Sequence, residues 1–110
     1  MYQVVITRPA EADIRTAYEW WRDHRSADEA RRWYENIFPA IDALRDWPEA
    51  CPPAPETDLH PNGLRQLHFG IGRRPTHRIV FTIEGLEVII LRVRHTAQRD
   101  LRLRDLPDLE

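Results

Sequence analysis

Between Thr76 and Thr96 the chain reads THRIVFTIEGLEVIILRVRHT, two apolar runs rich in Ile, Val, Phe and Thr, separated by Glu84-Gly85. Few folds accommodate that pattern. Residues 77–83 and 86–95 are expected to form a β-hairpin closed by a two-residue turn in which Gly85 takes positive φ. Unusually for apolar strands, the far ends carry cations.

Where those cations point follows from register, because cross-strand partners share a face and faces alternate with period two. Pairing Ile83 with Leu86 sets Phe81 against Val88, Val80 against Ile89, Ile79 against Ile90 and Arg78 against Leu91. Arg78, Val93 and His95 then share one face, and His77, Arg92 and Arg94 the other. Four residues of strand separate Arg78 from His95, on the order of 13 Å at ~3.3 Å per residue, a spacing suited to a nucleic-acid backbone. A bulge or a one-residue slip would undo this assignment.

The rest of the chain gives this hairpin one domain to sit in. At 110 residues there is room for a single core, residues 1–110, and no apolar run reaches the length of a membrane span. The start, Met1 to Ile6, reads as a first strand rather than a signal peptide, and the lone Cys51 forms no internal disulfide. Both point to a cytoplasmic protein, with no membrane partner.

Helix signals follow the first strand. Pro9 suits a first helical turn, and Ala10, Ile14, Ala17, Tyr18 and Trp21 recur at helical spacing, predicting a helix over about 9–23. Ser26-Ala27-Asp28-Glu29 has the form of a capping box opening a second helix. Its stripe comprises Ala30, Trp33, Tyr34, Ile37, Phe38, Ile41 and Leu44, with a kink or disrupted turn expected from Pro39. Five prolines between Trp47 and Asn62 make that segment an extended loop. Leu64 to Phe69 resumes as a strand. After His95 the polar stretch 97–110 is expected to be a tail, a short helix or frayed. The whole is β-α-α-β-β-β: an α+β domain with an antiparallel helix hairpin packed on a mostly antiparallel four-stranded sheet.

Charge divides unevenly along this order. Residues 1–60 hold seven Arg against twelve acids, whereas residues 61–104 hold nine Arg against three acids. Such a basic block resembles an anion-binding surface, although Arg can also merely solvate sheet edges. All sixteen basic residues are Arg, so Schiff-base, P-loop and Lys general-base chemistries are excluded. Ser26 is the only Ser and is committed to a helix cap, which argues against a serine hydrolase. His24, His60, His68, His77, His95 and Cys51 lack the close spacing of zinc ligands, and no metal or other cofactor is expected.

The ordered set of Tyr2-x-Val4-x-Ile6-Thr7, Ala10-x-x-Asp13, Leu64-Arg65-x-Leu67, His77-Arg78-Ile79-Val80-Phe81 and Val93-Arg94-His95 resembles the RelE/ParE superfamily of bacterial toxins, over residues 2 to about 100. The resemblance implies a toxin of a type II toxin-antitoxin pair, neutralised by a cognate antitoxin that covers basic residues. It leaves open a homodimer or a toxin-antitoxin hetero-oligomer. Two activities occur in the superfamily: RelE-like members cleave mRNA on the ribosome, and ParE-like members poison DNA gyrase without hydrolysis.

For RNA cleavage, Arg78 matches the position of the family cation, and His95 lies where some members place an acid or base, with an ordinary pKa of ~6.5. Arg65 falls where RelE-like members carry a basic residue, but a guanidinium stays protonated and cannot replace Lys as a base. The C-terminal aromatic of the nucleases is also missing. The tail after His95 resembles the ParE-like and plasmid-stabilisation branch. On that reading Arg65, Arg73, Arg74, Arg92, Arg94 and Arg99 bind the target or the antitoxin. A RelE-like mRNA interferase is the alternative, and a non-toxic nucleic-acid-binding module, which would stack bases on Phe69 or Phe81, is a second.

Overall fold

The computed structural model describes residues 1–107 of the 110. Strand β1 spans Gln3–Ile6, helix α1 Arg8–His24, helix α2 Ala27–Asp42, β2 Arg65–Phe69, β3 His77–Glu84 and β4 Glu87–His95. The sheet order is β1-β4-β3-β2, with β1 parallel to β4 and the other pairs antiparallel. The expected β-α-α-β-β-β arrangement is thus the one found. Among the described residues no helix is long and apolar enough to cross a membrane.

Local chemistry sets the helix boundaries. Thr7 accepts the Ala10 N–H at 3.4 Å to start α1, with Pro9 in the first turn where no N–H is required. The Ser26 hydroxyl accepts the Glu29 N–H at 3.1 Å to start α2. Pro39 does not end α2, which runs three residues beyond it before tightening into a 3-10 turn at Ala43–Arg45. Ala30, Trp33, Ile37 and Ile41 form the buried stripe, whereas Tyr34 and Phe38 of the expected stripe lie toward solvent.

One face of the sheet packs on the helices through Ile79, Phe81, Val88, Ile90 and Val93. A smaller cluster of Ala54, Leu64, Val80, Leu91 and Leu101 covers the other. Its cover comes from the Pro-rich loop and from the segment after β4, which docks through Leu101 and makes a 3-10 turn at Leu103–Asp105. Burying Leu101 contributes roughly 2 kcal/mol to that docking. The last three residues of the expected tail, 108–110, lie outside the described residues.

The hairpin register differs from the expected one. Glu84 pairs with Glu87, Ile83 with Val88 and Phe81 with Ile90; then Leu91 is inserted as a bulge, so that Val80 meets Arg92, Arg78 meets Arg94 and His77 meets His95. The extra residue reverses the alternation of β4. Val88 and Ile90 face the helices before the bulge, and Val93 and His95 after it. Thr7 secures the bulge by donating its hydroxyl to the carbonyls of Ile90 at 2.7 Å and Leu91 at 3.2 Å.

Candidate functional site

Because of the bulge, Arg78 and His95 stand on opposite faces of the sheet. The expected grouping is exchanged: Arg78 goes with Arg92 and Arg94, and His77 with His95.

On the face away from the helices, Arg78 is buried in a bidentate pair with Glu56 of the Pro-rich loop, one hydrogen bond measuring 2.8 Å, and also donates to Gln66 Oε1 at 3.1 Å. Glu56 accepts the Leu101 N–H at 2.7 Å, so the same carboxylate fixes a strand cation and the C-terminal segment. Burial pushes the Glu56 carboxyl upward, but the Arg78 hydrogen bonds, the Leu101 and Glu56 N–H groups and the Arg78 charge outweigh it. The carboxyl is held below its ordinary value.

The neighbouring cations are engaged in the same way. Since β1 ends opposite Ile90, the outer edge of β4 is open beyond that point. Asp13 of α1 fills the gap, accepting Arg92 at 2.7 and 2.8 Å and the Val93 N–H at 2.9 Å. Arg92 also donates to the Asp105 carbonyl at 2.8 Å, and buried Arg94 donates to the Arg99 carbonyl at 2.8 Å. Burial, followed by the charge of Arg92, pulls the Arg94 guanidinium below its ordinary value. Arg99 pairs with Asp105 at 2.8 Å, and Arg65 donates to the carbonyls of Glu49 and Cys51 at 3.1 and 2.7 Å.

Four of the nine cations in the basic stretch, Arg65, Arg78, Arg92 and Arg94, therefore hold loop and tail against the sheet, and Arg99 braces the tail internally through Asp105. Arg73 and Arg74, in the β2–β3 loop, stand exposed. The physical reason is unmet backbone polarity: a loop and a tail whose only regular elements are short 3-10 turns leave carbonyls that guanidinium donors satisfy. Phe81 is fully buried, and Phe69 is half-buried with its ring packed edge to face against Trp33 at 6.0 Å.

Two further concave surfaces flank helix α1. Between the helices, a groove of ≈ 710 Å³ is lined by Ile14, Tyr18, Arg31, Tyr34 and Phe38 among others. Its aromatic rings pack edge to face, Tyr18 with Tyr34 at 5.4 Å and Tyr34 with Phe38 at 5.1 Å. Tyr34 and Phe38 are 43% and 36% exposed, which is unusual for adjacent aromatics on a small domain. Sequence reasoning placed both residues in the core stripe and so missed this surface. Their position one step off Trp33, Ile37 and Ile41 was the available signal.

The second is a cavity of ≈ 360 Å³ where α1 passes the end of β4, and His77, His95 and Trp20 help line it. The imidazoles of His77 and His95 pack edge to face with centroids 5.2 Å apart. Trp33 backs His77 at 4.9 Å. Burial first, and His95 second, lower the His77 pKa to about 4, keeping that ring neutral. Among the described residues no group of three or more His, Cys, Asp or Glu is arranged to hold a metal ion.

Comparison with known proteins agrees with this architecture. No curated protein matches the chain by sequence. A solved structure described as a chromosomal ParDE TA system from P. aeruginosa superposes with a TM-score of 0.68 at 22% identity, covering 86% of this chain and 96% of that one, and so has the same fold. The sequence pattern of the family described as ParE toxin of type II toxin-antitoxin system, parDE, matches residues 4–100. The chain belongs to the ParE toxin family.

Proposed function

We propose that this toxin inhibits growth by binding DNA gyrase without hydrolytic chemistry of its own, and that a cognate antitoxin neutralises it. The observation that carries the non-hydrolytic reading is the separation of Arg78 from His95. Cleavage through a 2′-oxygen needs a cation at the phosphate and a proton donor or acceptor within reach of the same phosphate. Here the matching cation is buried against Glu56 beneath the tail, and the imidazole lies across the sheet. That arrangement favours a binding protein over a RelE-like mRNA interferase. The reading as a nucleic-acid-binding module is weakened by the burial of Phe81 and by the packing of Phe69 against the core.

The antitoxin docks an amphipathic segment in the groove between α1 and α2. Exposed Tyr34 and Phe38 supply the apolar contact, and Arg31 and Glu35 at its side supply mixed charge. Most cations of the basic stretch are satisfied internally, so apolar burial rather than charge attraction dominates this contact.

Purified gyrase provides the test. The toxin should block supercoiling and leave gyrase-linked DNA breaks, and an equimolar amount of the antitoxin encoded beside it should restore activity. Full supercoiling at a large excess of folded toxin would refute the gyrase assignment.

A further inference from the structure

The cavity at the end of β4 has no part in the function proposed above. Its walls combine Trp20, which is 44% exposed and has one ring face stacked on His24 with centroids 4.8 Å apart, with the neutral buried ring of His77 and the exposed ring of His95. Polar groups converge there without a free charge. Asp13 lines the cavity, but its carboxylate is spent on Arg92 and the Val93 N–H. Among the described residues the lining contains no Arg.

The hydrogen-bonding character of the remaining groups can be assigned one by one. His95 Nδ1 accepts the Ala97 N–H at 3.0 Å, so the neutral ring carries its proton on Nε2 and offers a donor. Gln98 Oε1 is taken by the His95 N–H at 2.7 Å, leaving the amide NH₂ as a second donor. His77 Nδ1 is hydrogen-bonded to the Thr76 hydroxyl at 2.8 Å, and among the described residues its Nε2 has no protein partner. That nitrogen donates or accepts according to tautomer, and the Thr16 hydroxyl does both.

We infer that this cavity is a binding site for a flat, uncharged heterocycle of nucleobase size, stacked on the ring face of Trp20 that His24 leaves open and read along its edge by His95, Gln98, Thr16 and His77. Ligand sites are concave, largely apolar and carry a few converging polar groups, and a volume of ≈ 360 Å³ holds a nucleobase or nucleoside. Every base has a stacking face and an edge mixing donors with acceptors. Among the described residues no Arg lines the cavity to neutralise a phosphate, so an uncharged ligand suits it better. The ligand is either a free nucleoside or a base turned out from a single strand; both present the same chemistry.

The experiment titrates the full chain with adenosine, guanosine, cytidine and uridine, and separately with short single-stranded oligonucleotides, while following the ring resonances of His77 and His95 by NMR. Saturable shifts of both rings with a Kd of ~1 mM or tighter are expected for at least one probe. Equal affinity for nucleoside and oligonucleotide identifies a free ligand, and binding of the oligonucleotide alone identifies a strand. Trp20→Ala and Gln98→Ala should each weaken binding roughly tenfold. Both residues are exposed, and neither change should disturb the fold. Absence of ring shifts with all probes up to ~10 mM, or binding undiminished in both variants, would overturn the inference. Neither result bears on gyrase inhibition, which is measured separately.

Discussion

Glu56 and Arg78, 22 positions apart in sequence, form a buried bidentate ion pair whose carboxylate also holds the Leu101 N–H. One side chain from a loop thus joins the sheet, the loop and the C-terminal segment. Removing it should leave a buried guanidinium unpaired, so Glu56→Ala is expected to cost about 3–5 kcal/mol in urea unfolding. Limited proteolysis should then cut first within residues 97–107. A paired Glu56→Leu and Arg78→Met replacement should recover much of the loss, because no charge remains stranded. A loss below ~1 kcal/mol for Glu56→Ala would show that the pair is solvated and does not hold the tail.

Acid stability should have two stages with different origins. His77 has a folded pKa of about 4 against an ordinary 6.5, so between these values the unfolded chain binds the extra proton. Stability therefore rises with pH across that window, and roughly 3 kcal/mol is lost on acidification from above 6.5 to 4. Glu56, whose pKa is lowered in the fold, contributes stability that is present above 4.5 and is lost as pH falls through its folded value. Urea titrations at a series of pH values check both. His77→Phe should flatten the upper stage and leave the lower one.

Asp13 closes the open edge of β4. Asp13→Ala removes the Arg92 pair and strands the Val93 N–H, and is expected to cost about 2–4 kcal/mol. Amide exchange at Val93 should accelerate more than at Ile90, which β1 still covers. Equal protection of both amides in the variant would mean that some other group caps the edge.

Antitoxin binding should follow the helix groove. Phe38→Glu and Tyr34→Ala are each expected to weaken it at least tenfold, about 1.4 kcal/mol, and to lower stability by about 1 kcal/mol because the part-exposed rings also pack edge to face. Arg73→Ala with Arg74→Ala should change it only slightly, and calorimetry should show a weak dependence on salt. A steep salt dependence, together with full affinity of the Phe38→Glu variant, would move the contact to the β2–β3 loop.

Much of this architecture is legible in the sequence, and the failures have physical causes. Ser26 caps α2 as its side-chain chemistry requires, and Trp33, Ile37 and Ile41 follow from helical spacing. The hairpin faces do not follow, because Leu91 adds one residue to β4. A clue is present: Arg92 and Arg94 have the parity of Val88 and Ile90, and unbroken alternation would bury two cations under the helices. The partners of the cations are harder still. Glu56 lies in a Pro-rich loop without periodicity, and the Arg99 and Asp105 carbonyls that accept Arg94 and Arg92 are backbone groups with no side-chain signature. A local charge count consequently reads as a free basic surface what the fold uses to seat its own tail.

Mapping both transcripts and gyrase-linked DNA breaks shortly after inducing the toxin alone tests the central claim most directly. The account predicts intact mRNA with gyrase-linked double-strand breaks, unchanged when His95 is replaced by Ala. Codon-positioned cuts in mRNA without gyrase-linked breaks, abolished by Arg78→Ala and reduced by His95→Ala, would contradict it.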